Sequence, residues 1–181
     1  NNLGHVVGNC FYTAFLWTPE AGMIQLPTND STRPYFAYDL NESDWVVGQT
    51  YFQVGAFWDP HAAMWRGDSI MDLGTLGTGR VSQANGVNDS GWVVGQSYLT
   101  ASGSTEHPFF YSPSTGTIDL MPGSTGYGYA HDINDLGQVT GYYQPTVFSN
   151  FRAFIWSLED GMQDLGVPSG FAGSVGYWIN N

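Results

Sequence analysis

Short apolar and aromatic runs recur along the chain and are separated by clusters of Gly, Pro, Ser, Asn and Asp. No stretch of useful length carries apolar residues at the three-to-four-residue spacing of an amphipathic helix. Several runs are apolar at consecutive positions, as in residues 152–156 (RAFIW). Such runs are typical of strands that are covered on both faces. The pattern therefore predicts an all-β chain.

The runs follow one another in a fixed order that occurs four times. Each copy has a turn, a first strand, an apolar second strand, a short turn, a third strand, and then a Gly-, Pro- and Thr-rich crossing to a fourth strand. The opening motif is clearest at residues 87–96 (VNDSGWVVGQ), where Asn-Asp-Ser-Gly favours a tight turn and Trp-Val-Val favours a pleated sheet. Self-similarity at a fixed period indicates one repeat domain. Its units are residues 1–40, 41–87, 88–133 and 134–181.

Three kinds of residue mark equivalent positions in the units. They are the turn asparagines Asn41, Asn88, Asn134 and Asn180, the first-strand glycines Gly8, Gly48, Gly95 and Gly141, and the second-strand aromatics Trp17, Trp65, Tyr111 and Trp156. From the aromatic to the next asparagine the interval is always 23 or 24 residues, whereas from the glycine to the aromatic it ranges from 9 to 17. Length variation is thus confined to the loop between the first two strands. A rigid scaffold with one variable loop set is typical of a face that meets a partner.

Units of about 46 residues with four strands predict a four-bladed β-propeller of four-stranded antiparallel blades. We expect each blade to combine the fourth strand of one unit, lying innermost, with the first three strands of the next. The four second-strand aromatics are expected to be buried between blades. We also expect residues 173–181 to form a strand that completes the blade begun at the N terminus and closes the ring. An open segment of a longer array and strand exchange between chains are the alternatives.

Composition narrows the possible partners. With 42% hydrophobic and 16% aromatic residues among 181, the chain is long and apolar enough to form a core. Its 16 acidic residues face four arginines and no lysine, a net charge of −12 that argues against nucleic-acid binding. No apolar run approaches the ~20 residues of a membrane span. The single cysteine, Cys10, permits no internal disulfide.

The combined motifs resemble the HAF family of probable extracellular bacterial repeats. They are carried by residues 87–95 (VNDSGWVVG), 152–156 (RAFIW), 72–77 (DLGTLG) and 129–134 (YAHDIN), so that the resemblance covers essentially the whole chain. The first unit departs most, with Thr13 where the family has His and residues 25–27 (QLP) in place of Asp-Leu-Gly. The resemblance implies secretion or cell-surface display and no enzymatic activity. The chain begins within a motif copy and lacks an initiator Met, so we expect a processed or partial form, and the missing leader says nothing about export.

No residue pattern points to catalysis or to a cofactor. The four histidines fall at three different repeat positions without the spacing of metal ligands. Recurring aspartates, such as Asp72 and Asp119 in the third strands, are expected to make structural hydrogen bonds because equivalent positions spread them around a ring. The turn asparagines are expected to shape turns. Calcium binding there is the alternative, and it is weakened because the turns lack the alternating Asp ladder of a calcium loop.

Contacts with partners are expected from aromatic side chains in or beside the variable loops. These are Tyr51, Phe52, Trp58, Tyr98, Tyr142, Tyr143 and Phe148. Arg66 and Asp68 belong to an Arg-Gly-Asp-Ser hairpin tip and are the candidate contacts for a receptor. We expect a non-catalytic extracellular module, structural or adhesive, that serves as a subunit of a surface fibre or coat. Its partners would be copies of itself or other surface proteins. The alternative is a secreted, lectin-like propeller that binds glycans.

Overall fold

The computed structural model describes residues 1–103 and 105–181. Within these residues it contains strands and turns and no helix. The strands are β1 (Val6–Cys10), β2 (Thr13–Thr18), β3 (Gly22–Gln25), β4 (Phe36–Leu40), β5 (Val46–Val54), β6 (Phe57–Arg66), β7 (Ser69–Asp72), β8 (Ser82–Val87), β9 (Val93–Tyr98), β10 (Glu106–Ser112), β11 (Gly116–Asp119), β12 (Gly128–Ile133), β13 (Val139–Tyr143), β14 (Arg152–Ser157) and β15 (Gly161–Asp164). The all-β prediction is confirmed.

These strands form four antiparallel sheets in chain order. Sheet A contains β1–β2–β3, sheet B contains β4 to β7, sheet C contains β8 to β11, and sheet D contains β12 to β15. Sheets B, C and D each begin with the fourth strand of one sequence unit and continue with the first three strands of the next. The predicted composition of the blades is therefore confirmed. Sheet A has three strands, and β1 lies at its inner edge.

The predicted turns are present at all three complete copies of the motif. In the turn after β8, the Gly91 N–H donates to the Asn88 carbonyl oxygen at 2.9 Å. Matching bonds close the turns after β4 at 3.2 Å and after β12 at 3.0 Å. The Asn88 side-chain oxygen also accepts the N–H groups of Ser90 and Trp92. Asparagine thus stabilises the turn through its own side chain, as turn chemistry predicts.

The first-strand glycines are required by a close approach of two backbones. A Cβ built on Gly48, Gly95 or Gly141 would overlap the carbonyl oxygen of a residue on the neighbouring inner strand. Each inner strand carries a bulge at the facing position, for example between Ala37 and Asp39 on β4. Within the described residues no inner strand pairs with β1, and the nearest atom to a Cβ on Gly8 would be Phe15 Cζ at 2.8 Å, so this ring would have to move.

Three buried apolar clusters hold neighbouring sheets together, and each lies between two consecutive sheets. Sheets A and B enclose a cluster that includes Val46 and Trp65, and sheets C and D enclose one that includes Val139 and Trp156. The third cluster lies between sheets B and C. Among the described residues no such cluster joins sheet D to sheet A. The sheets therefore form an open stack, and the predicted closure into a propeller ring is wrong.

The expected closing strand, residues 173–181, lies on sheet D and does not pair with β1. The Gly176 N–H donates to the Gly141 carbonyl oxygen at 3.0 Å, and the Ser174 N–H donates to the Phe151 carbonyl oxygen at 3.0 Å. The segment is irregular rather than a strand. Its hydrogen bonds to the preceding sheet therefore keep it at the far end of the stack from β1.

The second-strand aromatics differ in burial because the sheets form an open stack. Trp65 and Trp156 are buried as predicted, and Tyr111 is partly buried against the cluster between sheets B and C. Trp17 is 37% exposed, and the prediction of its burial is wrong. It lies on the face of sheet A that no other sheet covers.

Candidate functional site: the two end faces of the stack

Asparagine side chains connect each turn to the next one along the stack. The side-chain amide of Asn41 donates to the Asn88 carbonyl oxygen at 3.0 Å, and that of Asn88 donates to the Asn134 carbonyl oxygen at 3.0 Å. The same bond runs from Asn1 to Asn41 at 3.0 Å and from Asn134 to Asn180 at 2.9 Å. We call this series the asparagine ladder. Sequence reasoning had predicted the turns and missed the ladder.

The residue after each asparagine adds a second line of bonds in the same direction. The Glu42 N–H donates to an Asp89 carboxylate oxygen at 2.9 Å, and the Asp89 N–H donates to Asp135 at 3.0 Å. The Asp135 N–H in turn donates to the Asn181 side-chain oxygen at 2.8 Å. Every unit donates to the unit that follows it. The hydrogen bonds between units therefore all run in one direction along the stack.

A repeated apolar face marks the side of each sheet that looks back along the stack. In sheet B this face carries Val46 and Trp65, which pack against sheet A and are each 1% exposed. In sheet D the equivalent residues, Val139 and Trp156, pack against sheet C. In sheet A the same positions hold Val6, which is 51% exposed, and Trp17. We call this surface of sheet A the leading face. It has the residues of an internal interface, and no sheet formed by residues 1–103 and 105–181 packs against it.

The opposite end, which we call the trailing face, is formed by sheet D and residues 173–181. Thr140 and Ala153 are buried there, Ile155 is partly buried, and a groove of about 160 Å³ lies beside Ile155 and Gln163. At the equivalent internal faces, the following sheet fills this position. Within the described residues no further sheet packs on the trailing face.

Residues 174–180 occupy the position of an inner strand on this trailing face. Ser174 donates its hydroxyl to the Gly166 carbonyl oxygen at 2.6 Å and accepts the Ala153 N–H at 2.9 Å. Ser82, at the start of β8, makes the same two bonds to the residues of sheet B, at 2.6 and 2.8 Å. The segment therefore lies on sheet D as β8 lies on sheet B. β8 is paired with β9, whereas no strand within the described residues pairs with this segment. Trp178 on this segment is 86% exposed.

Carboxylates line a groove of about 330 Å³ between the turns. One of them, Asp39, lies on an inner strand and accepts the Val87 N–H at 2.9 Å. The equivalent Asp132, which does not line the groove, accepts the Ile179 N–H at 2.8 Å. Burial raises the pKa of Asp39 to about 6, although the hydrogen bond from Val87 opposes this shift. Burial also raises the pKa of Asp132. Within the described residues, no group of three or more His, Cys, Asp or Glu side chains is placed to hold a metal ion.

The recurring third-strand aspartates make cross-strand pairs that sequence reasoning had not linked to the histidines. His61 Nδ1 lies 3.0 Å from both carboxylate oxygens of Asp72, and His107 Nδ1 lies 2.9 Å from both of those of Asp119. The same aspartates accept backbone N–H groups two residues later in the chain. Both histidines are buried, and each pair connects the second strand of a sheet to the third. The similar spacing of the two pairs, eleven residues from His61 to Asp72 and twelve from His107 to Asp119, was the signal in the sequence that could have revealed them.

The aromatic residues predicted to contact partners are dispersed, and most of them lie in strands. Tyr51 and Phe52 belong to β5, Trp58 to β6, Tyr98 to β9, and Tyr142 and Tyr143 to β13. The variable loop of the second unit is instead a long hairpin, because β5 and β6 pair as far as Val54 and Phe57. Of the seven predicted aromatic contacts, only Phe148 lies in a loop, where it is 96% exposed.

Most of these rings already have partners within the chain. The Arg33 guanidinium lies 5.1 Å from the ring centre of Tyr51 and 5.3 Å from that of Trp58. The Tyr142 ring centre lies 5.1 Å from that of Tyr129 and 4.8 Å from that of Phe151. These contacts belong to different parts of the stack. The structure does not bring the predicted aromatics together into one surface.

The Arg-Gly-Asp-Ser segment does form the predicted hairpin tip. It joins β6 to β7, and Gly67 has the positive φ of 57° that this turn requires. The Arg66 guanidinium lies 3.6 Å from the ring centre of Trp45, so this side chain is held against the domain. Asp68 is exposed at the tip.

No protein-family model and no curated protein matches this chain. In the part of the chain that the structure describes, no helix has the length and apolarity needed to cross a membrane.

Proposed function

We propose that this chain is a non-catalytic structural or adhesive β-repeat module that acts outside the cell or on its surface by associating with copies of itself or with other surface proteins. The observation that supports this most strongly is an exposed phenylalanine in or beside the loop between the first two strands of three units: Phe11 is 92%, Phe57 59% and Phe148 96% exposed. Exposed aromatic side chains are typical of surfaces at which proteins associate.

The use of polar side chains supports the same proposal. Asparagines connect the turns, and His–Asp pairs join the second and third strands. Stacked repeats that contact mainly their neighbours are typical of proteins that offer extended binding surfaces.

The proposed extracellular location is based on the resemblance to HAF repeats, a family of probable extracellular bacterial repeats. The order of strands in sheets B to D supports the blade-like interpretation of the repeat. An acidic surface without lysine is compatible with this setting, since like-charged chains stay dispersed until specific faces meet.

The proposal is tested by measuring the molecular mass of the particles in solution as a function of protein concentration. The purified chain is examined by light scattering and negative-stain microscopy over a thousand-fold range of concentration, with and without surface extracts. We expect concentration-dependent self-association or binding to a surface protein. A chain that remains monomeric throughout and binds no surface protein would overturn the proposal.

The second candidate function is carbohydrate binding, and one observation favours it. The rings of Tyr177 and Trp178 are both exposed, with their centres 5.6 Å apart, and exposed aromatic rings are surfaces on which sugars stack. A glycan array distinguishes the two candidates. Specific glycan binding by the monomer that is lost in Trp178→Ala would favour the lectin-like alternative.

A further inference from the structure

We propose that two copies of this chain associate about a two-fold axis, with the Phe148 side chain of each copy inserted into an apolar groove of the other. The groove lies beside the loop that carries Phe148, at the ends of sheets C and D. Its apolar walls are formed by Leu120, Met121, Pro122, Tyr143, Pro145 and Met162. This inference rests on the proposed function, because it names the partner as a second copy and identifies the surfaces that meet.

The groove continues the buried cluster between sheets C and D out to the surface. Leu120 and Met121 are buried at its base, while Tyr143 and Met162 pack against the cluster. Its volume of about 370 Å³ is sufficient for a phenylalanine side chain, and the described residues that line it are all uncharged. A groove of this chemistry accepts an apolar side chain and disfavours a charged one, because an unpaired charge would lose its water there.

Phe148 is presented by an ordered turn. The Ser149 N–H donates to the Thr146 carbonyl oxygen at 3.0 Å, and the Thr146 N–H donates to the Ser149 hydroxyl oxygen at 3.0 Å. Val147 and Phe148 therefore occupy the two central positions of this turn, where Gly, Pro, Asn and Asp are usual. Because Phe148 is almost fully exposed, it contributes little to the packing of its own chain. A turn that displays a large apolar side chain in a fixed position is suited to anchoring a partner.

Phe148 and the groove belong to the same surface of the molecule. Pro145, which lines the groove, precedes Phe148 by only three residues. The Gln144 N–H donates to the Tyr127 carbonyl oxygen and so attaches the loop to the segment between sheets C and D. A projection beside a matching depression is self-complementary, since rotation of a second copy by 180° can place each Phe148 over the other groove. Closed interfaces of two-fold homodimers have this property, whereas a different protein would need both features in the same arrangement.

The distribution of charge also favours a second copy at this surface. The chain carries a net charge of −12, so two copies repel each other wherever their acidic side chains face. Residues 141–151 (GYYQPTVFSNF) contain no charged side chain, and the neighbouring Arg152 is paired with Asp164 at 2.6 Å. In contrast, the turns at the other end of the sheets expose Asp89 and Asp135. Two copies can therefore approach through the groove surface with little repulsion.

Sedimentation velocity over a range of concentrations tests the role of Phe148. Because the proposed interface closes on itself, we expect the wild-type mass to reach a plateau at the dimer. Phe148→Glu places a charge in each groove and should raise the dissociation constant at least about 30-fold, the effect of a hot-spot residue. Phe11→Glu is the matched control, since Phe11 is similarly exposed in the equivalent loop of the first unit, and it should dimerise as wild type does. Thermal unfolding checks that both variants keep the fold.

A mixing experiment tests the contact between Phe148 and the groove. Pro122 is an exposed residue of the groove wall, and Pro122→Lys places a charge there. Each variant alone is altered at both contacts of its homodimer. A pair made of Phe148→Glu and Pro122→Lys keeps one contact intact and brings the new carboxylate opposite the new ammonium group in the other. Native mass spectrometry of the equimolar mixture should therefore detect heterodimers in excess over either homodimer. No recovery of dimers in the mixture would show that Phe148 and the groove do not meet.

The other outcomes separate this inference from the proposed function. If Phe148→Glu self-associates as wild type does, or if Phe11→Glu is impaired equally, the two-fold interface is wrong and the proposed function stands. The same holds if wild type stays monomeric and binds a surface protein. If wild type neither self-associates nor binds a surface protein, both proposals fail.

Discussion

The side-chain amide of Asn88 donates to the backbone carbonyl oxygen of Asn134, the equivalent residue of the next unit, at 3.0 Å. Its side-chain oxygen meanwhile accepts the N–H of Trp92 at 3.0 Å and closes its own turn. One buried amide thus holds a turn and attaches it to the neighbouring turn. Aspartate shapes similar turns but has no donor for the second bond, which explains why asparagine recurs at this position.

Asn88→Asp is expected to destabilise the fold by about 3 kcal/mol, because it removes the donor and buries a charge against the Asn134 carbonyl oxygen. The measurement is urea unfolding at neutral pH. Asn180→Asp is the control, since Asn180 is exposed and its amide donates to no partner within the described residues. Equal effects of the two substitutions would contradict the ladder.

Gly48→Ala is expected to destabilise the fold by about 2 kcal/mol, because the new methyl group would overlap the backbone of β4. Gly8→Ala is the matched variant on β1, where no inner strand is present. Thermal unfolding should detect a clear loss of stability for Gly48→Ala and a smaller loss for Gly8→Ala, because at Gly8 only the end of the Phe15 ring has to move. Equal losses would contradict a backbone clash as the reason for glycine at Gly48.

Trp65→Ala is expected to destabilise the chain by about 3–5 kcal/mol, because it empties a buried position between sheets A and B. Its indole N–H also donates to the Pro27 carbonyl oxygen at 2.9 Å. Trp17→Ala, at the equivalent but exposed position, should cost about 1 kcal/mol or less. Chemical unfolding of the two monomers checks this difference. Similar losses would mean that the leading face is covered in solution.

Asp39→Asn is expected to stabilise the chain at pH 7.5 and to have little effect near pH 4. Because burial raises the folded-state pKa of Asp39 to about 6, the folded chain holds a proton on this carboxyl between about pH 4 and 6, where the unfolded chain has released it. The stability contributed by this group therefore falls as pH rises through that window. The asparagine oxygen still accepts the Val87 N–H and carries no charge.

Urea unfolding of wild type and Asp39→Asn at both pH values measures this effect. The difference between them should grow with pH to at most about 3 kcal/mol. Asp68→Asn, at an exposed turn, is the control and should show no such growth. A pH-independent difference for Asp39→Asn would show that the carboxyl ionises normally in the folded chain.

Self-association is expected to strengthen as salt concentration rises from 20 to 500 mM. Each copy carries a net charge of −12, so added salt screens the repulsion between copies and does not weaken contacts between apolar side chains. Light scattering over a salt series provides the measurement. Dissociation on adding salt would mean that ion pairs hold the copies together, and association through exposed apolar side chains would then be wrong.

Sequence patterns were sufficient for features that depend on neighbouring residues. Turns at Asn41, Asn88 and Asn134 follow from Asx and glycine chemistry within four residues. The assignment of strands to sheets B, C and D follows because each tight turn pairs the strands on either side of it. Burial of Trp65 followed in the same way, from an apolar run that needs cover on both faces.

Features that depend on distant residues required the three-dimensional structure. The asparagine ladder joins the side-chain amide of one asparagine to the backbone carbonyl oxygen of another 40 to 47 residues away. The His61–Asp72 pair depends on the register in which β6 and β7 pair. Tyr51 and Trp58 lie in strands because the β5–β6 hairpin is long. The length of this hairpin depends on pairing along both strands.

Ring closure was the largest difference between expectation and structure, and its cause is physical. A repeat specifies the contact between one sheet and the next, and this contact has the same residue pattern in a closed ring and in an open stack. The closed ring and the open stack differ in the rotation between successive sheets, and small differences in this rotation add up over four sheets. That rotation depends on how side chains such as Trp65, Phe110 and Trp156 pack between the sheets, which the order of residues along the chain does not reveal.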